Sequence, residues 1–566
     1  VISPDSPPDY LSALTQSGQT LIESLLRELP SSGLDPATLV AAFVGNDQAR
    51  QRLADLQSRY YRDWLALWSD SGPRSALEDD ADRRFDAPEW RTLPWYRWLR
   101  RVHALNCAYL AGLAEIADLP PESKRRLRFL ARHLADAMAP TNYAPTNPEA
   151  LKRAIQTRGE TFARGLALLS SDLAKGRISM SDESVFEVGR NLAITPGDVI
   201  FENELMQLIR YHPATATIFE RPLFIVPPFI NKYYILDLRP ENSFVRHCVE
   251  CGFETFIVSW RNIPPELGHL TWDDYIDKGV FAPLAVVREA SGSLSANALG
   301  FCVGGTLLAT ALAVLAAKRR KPAASLTLLA SMLDFSDTGD IGVYVDRAYV
   351  ERCERDFAEG GVVPGSRLAA AFATLRANEL VWHYVVNSYL LGRAPAAFDL
   401  LYWNADGSNL AGPLYSYYLR NMYLENNLRV AGKLRMHGAA VDLGSIGLPA
   451  YVFAAREDHI VPWRTAHRGA RLLGGRTEFV LGASGHVAGV INSARHNRRH
   501  YWTNAALPDD PEAWVRSAQQ HTGSWWPHWS AWLEARSGDR KPASVTVRGR
   551  RRGIEPAPGR YVRERR

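Results

Sequence analysis

The sequence predicts an α/β protein: a helical segment leads into a mostly parallel sheet covered on both faces. Two observations carry this. Up to about residue 200, apolar residues recur at three- and four-residue spacings. After about residue 220, short β-rich runs alternate with helical patterns or loops. A third observation, a glycine-flanked cysteine between one such run and a helix, places the chemistry.

The helical spacing covers Thr15 to Leu29, Asn46 to Trp68, Leu93 to Ala117 and Pro148 to Lys175. Proline and glycine interrupt it at Pro30-Ser-Ser-Gly, Ser71-Gly-Pro, Pro120-Pro121 and the segment 140–148. Trp64, Trp68, Trp90, Trp95 and Trp98 gather here, read as a helical core with part of its face outward. The predicted strands are Leu223–Val226, Glu254–Val258, Ser295–Leu299, Ser325–Leu329, Ala450–Phe453 and Thr477–Leu481. Between Ser331 and Pro449 that rhythm stops for 119 residues, read as a cap inserted over the C-terminal ends of the strands. The predicted organisation is a helical domain over 1–200 and a catalytic domain over 201–566. The latter contains the 331–449 insertion and ends in a basic tail over 539–566.

Composition excludes several function classes. At 46% hydrophobic and 22% charged, the chain is globular rather than disordered. Five cysteines in 566 residues are no disulfide framework, and no secretory leader pattern opens the sequence, so a reducing, cytoplasmic setting is expected. The formal charge of +5 is concentrated in residues 539–566, where ten Lys and Arg face three acids. That tail reads as solvated rather than as a nucleic-acid interface, and no nucleic-acid partner is expected. Residues 290–317 carry one acid-free, base-free apolar stretch after Glu289, long enough to mimic a membrane span. Its central glycines and Asn297 favour a buried strand, turn and helix, so no integral span is expected.

The turn is Gly300-Phe-Cys-Val-Gly-Gly305, a nucleophile elbow with cysteine in the serine position. A sharp strand-to-helix turn needs small residues on both sides, and the following helix offers unsatisfied N–H groups to an oxyanion. The backbone N–H of Val303 is the expected first donor. The α/β-hydrolase fold implied by this elbow requires an acid and then a histidine downstream. Asp458 follows a predicted strand, and His486 sits in a glycine-flanked loop after another. The order Cys302, Asp458, His486 fits. Asp334 is the alternative acid and His459 the alternative base. Cys248 and Cys251 form a lone pair at CxxC spacing, read as packing thiols, and no metal-ligand spacing is present.

Together, Pro227-Pro-Phe-Ile-Asn-Lys-Tyr-Tyr-Ile-Leu-Asp-Leu238, the elbow, Asp399-Leu-Leu-Tyr-Trp-Asn404 and Asp458-His-Ile-Val-Pro-Trp463 resemble the class I polyhydroxyalkanoate synthases. Phe186–Leu192 and Ala557–Val562 extend the resemblance, which runs from about residue 80 to the end; Phe229 departs at a position where members vary. The resemblance implies an α/β-hydrolase catalytic domain with a cap, preceded by a helical domain. It implies polymerisation of (R)-3-hydroxyacyl-CoA, 3-hydroxybutyryl-CoA foremost, into polyester with release of coenzyme A and no separate cofactor. It further implies a homodimer on the surface of cytoplasmic polymer granules, with the Trp-rich helices as a candidate contact. Carried over residue by residue, Cys302 is the nucleophile, His486 the base and Asp458 the acid. Ile230 sits where the second oxyanion donor is expected, and Trp403 matches the tryptophan of the cap motif. Two other classes stay open: a cysteine hydrolase of the dienelactone hydrolase or esterase type, told apart by a free-acid product, and a non-enzymatic granule protein with an inert Cys302.

Overall fold

The structure is a computed structural model that describes residues 34, 36–68, 82–543 and 553–564. The expected helix Thr15–Leu29, the breaks at 30–33 and 71–73 and the middle of the basic tail lie outside the described residues. The chain forms two compact units. One runs up to Asp182 and takes in Asp346–Ala348 and Ala371–Ala397; the other holds Glu183–Val345, Tyr349–Ala370 and Phe398 onward.

The first unit is helical: Pro36–Val44, Asp47–Trp68, Pro94–Ile116, Pro121–Ala137, Pro148–Gln156 and Glu160–Lys175. Prolines open several of these at the first turn, where the missing N–H is not needed. The single helix expected over 148–175 is two, because Arg158 and Gly159 both turn to positive φ (52° and 87°). Trp90 is fully buried, as a core reading requires. Trp64, Trp68, Trp98 and Trp95 instead form a chain of ring contacts at 5.5, 5.3 and 5.2 Å, with Trp68 63% and Trp95 56% exposed.

Part of the 331–449 insertion belongs to this helical unit. The Tyr389 hydroxyl donates to Asp172 at 2.8 Å, Asn378 to Asp136 at 2.7 Å, and Arg393 pairs with Glu149 at 2.6 Å. The insertion is therefore not one cap but segments shared between two units, a division set by contacts distant in sequence.

The second unit is built on an eleven-stranded sheet. Its strands are β1 (Gly197–Glu202), β2 (Met206–Tyr211), β3 (Leu223–Val226), β4 (Thr255–Trp260), β5 (Ala296–Phe301), β6 (Ala323–Leu329), β7 (Ala450–Ala455), β8 (Thr477–Gly482), β9 (His500–Thr503), β10 (Gln519–Thr522) and β11 (Glu555–Pro556). The spatial order is β10-β9-β8-β7-β6-β5-β3-β4-β2-β1-β11. Neighbours from β4 through β3, β5, β6 and β7 to β8 are parallel. These six are the strands the sequence predicts, and they are mostly apolar and buried. Antiparallel strands flank them on both sides. β1 begins at Gly197 and the chain from Glu183 already packs with it, so the α/β unit starts at Glu183 rather than 201. The reason is packing: Phe186 and Leu192, on irregular chain, are buried in the same apolar cluster as the inner face of the sheet.

The helix Val303–Ala317 is buried at every position from Val303 to Leu315. Being enclosed by protein on all sides, it needs no polar face, which is why its stretch of sequence mimics a membrane span. Among the described residues no helix is long and apolar enough to cross a membrane.

Candidate active site

The elbow sits where β5 leaves the centre of the sheet. Cys302 adopts φ 53° and ψ −129°, a strained conformation for a residue with a Cβ. Its N–H donates to the Leu329 carbonyl at 2.9 Å and its carbonyl accepts from Gly305 at 2.9 Å, so hydrogen bonds on both sides hold the turn. The tightness also explains the glycines. A Cβ on Gly300 would overlap the Gly305 Cα, and one on Gly304 would overlap the carbonyl oxygens of Val226 and Pro227. The half-buried Cys302 side chain stands at the head of the buried helix, whose first residue is Val303. The first N–H groups of a helix have no partner within it, so an anion forming at Cys302 faces donors.

Asp458 follows the end of β7. Its Oδ1 accepts from the N–H groups of Ile460 and Val461, both at 2.8 Å, and its Oδ2 lies 2.6 Å from His486 Nδ1. The Asp458 side chain is completely buried and that of His486 8% exposed. His486 opens a short helix after Gly485 and stacks on Phe301, one residue before the cysteine, at 5.7 Å. Burial works against a charged ring here, yet the His486 pKa is driven well above its ordinary value. The Asp458 carboxylate, the charge of Cys302 and hydrogen bonds to both outweigh the burial. With Nδ1 committed to Asp458, the other ring nitrogen is the one available to the thiol.

The structure thus brings Cys302, His486 and Asp458 together. It does not place the alternatives in that arrangement. Asp334 is buried but accepts from Ser336 N and Asn426 Nδ2, each at 2.8 Å, with Arg429 at 3.7 Å. His459 is half-buried beside the acid, while the carboxylate of Asp458 goes to His486. Ile230 lies in the loop after β3 and packs against the apolar cluster that contains Val303. Its carbonyl accepts from Ser408 N at 2.8 Å. Trp403 is buried at 6% exposure and donates its indole N–H to the Lys232 carbonyl at 2.7 Å. That contact ties Trp403 to the loop that carries Ile230.

Sequence reasoning missed two residues. Tyr418, buried, and Tyr423, half-buried, both from the insertion, have ring centroids 5.3 Å apart, edge to face, and Phe335 packs against both. Burial, with the charge of Cys302 adding to it, holds both phenols neutral. They bring hydroxyl groups to the cysteine side of the site. The tyrosine-rich run 415–423 was the only signal, and nothing in it pointed to Cys302.

Cys248 is fully buried and Cys251 half-buried; burial pushes both thiols up, away from the reactive thiolate. Among the described residues no cluster of three or more His, Cys, Asp or Glu could hold a metal ion.

Comparison with known proteins gives a consistent picture. A family described as "Poly-beta-hydroxybutyrate polymerase (PhaC) N-terminus" matches residues 81–248, and one described as "alpha/beta hydrolase fold" matches 223–492. The poly(3-hydroxyalkanoate) polymerase subunit PhaC of Cupriavidus necator is 48% identical over 530 residues, covering 92% of this chain and 90% of that one. The protein of the same name from Rhizobium meliloti is 38% identical over 528 residues, covering 91% and 86%. Poly(3-hydroxyalkanoate) polymerase 1 of Ectopseudomonas oleovorans is 37% identical over 500 residues, covering 87% and 88%.

Proposed function

Because the chain belongs to the poly(3-hydroxyalkanoate) polymerase family, we propose that it joins (R)-3-hydroxyacyl units from coenzyme A thioesters into polyester on Cys302. The observation that carries the site assignment is the buried Asp458–His486 pair at 2.6 Å beside the strained Cys302 elbow.

His486 takes the thiol proton, and the Cys302 sulfur attacks the thioester carbonyl. The oxygen of the tetrahedral intermediate is received by the Val303 N–H, with the Ile230 N–H as second donor. The C–S bond to coenzyme A breaks and the imidazolium returns its proton to the departing thiolate. Exchanging one thioester for another is close to isoenergetic, so the acyl group keeps its activation and no further cofactor is needed.

The hydroxyl of a second substrate then loses its proton to His486 while its oxygen attacks the acyl group on Cys302. The sulfur leaves and an ester bond has formed. The lengthened thioester re-acylates Cys302 and releases another coenzyme A. An alcohol is a far weaker acid than a thiol, so elongation leans hardest on the base. Both oxygens of Asp458 are already engaged and its side chain is sealed from solvent, which supports a role in orienting His486 and stabilising its charge over a direct role as base.

The exposed face of Trp68 and Trp95 supports contact with an apolar granule surface, and the same reading includes a cytoplasmic homodimer. The test is incubation with (R)-3-hydroxybutyryl-CoA while following coenzyme A release and turbidity together. Release with insoluble polyester is the expected result. Release with free 3-hydroxy acid alone would assign the chain to the esterase-type alternative.

A further inference from the structure

The loop after β3 is fixed from two directions. On one side the segment 403–408 holds it. The Trp403 indole donates to the Lys232 carbonyl at 2.7 Å, the Tyr234 hydroxyl donates to Asp406 at 2.9 Å, and Ser408 N donates to the Ile230 carbonyl at 2.8 Å. On the other side lies the C-terminal segment. The Lys232 ammonium donates to the Glu564 carbonyl at 3.0 Å and reaches the Tyr561 carbonyl at 3.4 Å.

Lys232 is 2% exposed. Burying an ammonium is costly, and an apolar side chain would fill the space without that cost, so retaining the charge here calls for a directional purpose. The C-terminal segment is itself anchored. The Tyr561 hydroxyl donates to the Asn203 carbonyl at 3.0 Å and its N–H to Gln207 at 3.3 Å, while Arg261 lies 5.0 Å from its ring centroid and 3.6 Å from Glu564. Upstream, the Trp260 indole donates to the Pro227 carbonyl at 2.9 Å. The loop thus runs from a fixed Pro227, against Gly304 of the nucleophile turn, to a fixed Lys232, with Ile230 between them.

We infer that Lys232 is a positioning residue: by tying the loop to the Tyr561 and Glu564 carbonyls it holds the Ile230 N–H toward Cys302, and residues Tyr561–Glu564 are a working part of the active site. The inference rests on the acyl-transfer reading above. A donor displaced by about 1 Å loses most of its value to an oxyanion while substrate binding is little changed, so the effect belongs in turnover.

The experiment compares Lys232→Met, Lys232→Arg, a chain ending at Arg560, and Lys232→Met within that shortened chain, each first shown to unfold cooperatively. For coenzyme A release, Lys232→Met and the shortened chain are each expected to lower kcat about 10- to 100-fold with KM within about twofold. The combination should be no worse than the shortened chain alone, because that chain has already lost the Lys232 tie. Lys232→Arg, which keeps charge and donors, should recover part of the loss. Hydrogen exchange across residues 228–232 should quicken in Lys232→Met and in the shortened chain. Unchanged kcat in either folded variant, multiplicative losses, or unaltered exchange would overturn the inference. If Lys232→Met does not fold, the shortened chain and Lys232→Arg decide it. Absence of coenzyme A release by the unaltered chain would refute the acyl-transfer reading instead, and the exchange measurement separates the two failures.

Discussion

Gly304 lies directly against Pro227: a Cβ at residue 304 would overlap the Pro227 carbonyl oxygen and its neighbour on Val226. The nucleophile turn and the β3 loop therefore meet backbone to backbone here, with Val303 next to Gly304 and Ile230 three residues after Pro227 in the chain. Gly304→Ala should drive them apart and lower coenzyme A release by at least about 10²-fold, the scale for losing an oxyanion donor. Gly447→Ala, where nothing lies within 4 Å of the added carbon, should stay near wild type in the same assay. Equal activities would show that the close approach is not needed.

Cys302→Ala should fold and release no coenzyme A, and Cys302→Ser should be nearly inactive because its hydroxyl is far less acidic than a thiol. A preserved thermal transition together with abolished release is the expected pair of results. Polymer formation by Cys302→Ala would remove the nucleophile assignment.

Asp458→Asn keeps the shape of the side chain but removes the charge that raises the His486 pKa. The imidazolium becomes less stable, so the His486 titration should move to lower pH. Rapid quench should show about one equivalent of coenzyme A released in a burst, then steady turnover reduced by about 10²–10⁴. Asp334→Asn should leave that kinetic pattern unchanged, since its carboxylate serves Ser336 and Asn426. The reverse outcome would make Asp334 the acid.

His467 is fully buried between Phe479 and Trp514, and neither ring nitrogen has a hydrogen-bond partner among the described residues. Burial and the nearby Arg471 and Arg468 push its pKa down to about 4. The unfolded chain, with an ordinary histidine near pH 6.5, binds the proton more readily than the folded one. Stability is therefore intact above that pH and is lost as pH falls from about 6.5 towards 4, by about 3 kcal/mol at full protonation. Urea midpoints measured from pH 7 to pH 4.5 should fall, and His467→Phe should flatten that slope. An unchanged slope would place the acid sensitivity elsewhere.

Local physics made much of this protein readable from its sequence. Six buried parallel strands write continuous apolar runs, and a strained strand-to-helix turn writes its glycines around Cys302. A fixed chain order then points to Asp458 and His486. The flanking antiparallel strands β1, β2, β9 and β10 leave no such signal because their residues mix polar and apolar types; Gln207, Arg210 and His500 interrupt any run that periodicity detects.

What only the tertiary structure decided has a common cause, long-range contact between segments with no local signature. It divided the 331–449 insertion between two units, because Asn378 and Tyr389 find partners at Asp136 and Asp172. It tied Trp403 to the loop after β3, because its indole N–H finds the Lys232 carbonyl. It brought Tyr418 and Tyr423 to the cysteine, and Tyr561 and Glu564 to Lys232, across more than a hundred residues of chain. Spacing in a sequence reports what one element buries; which distant backbone group satisfies a buried donor is fixed only when the chain has folded around it.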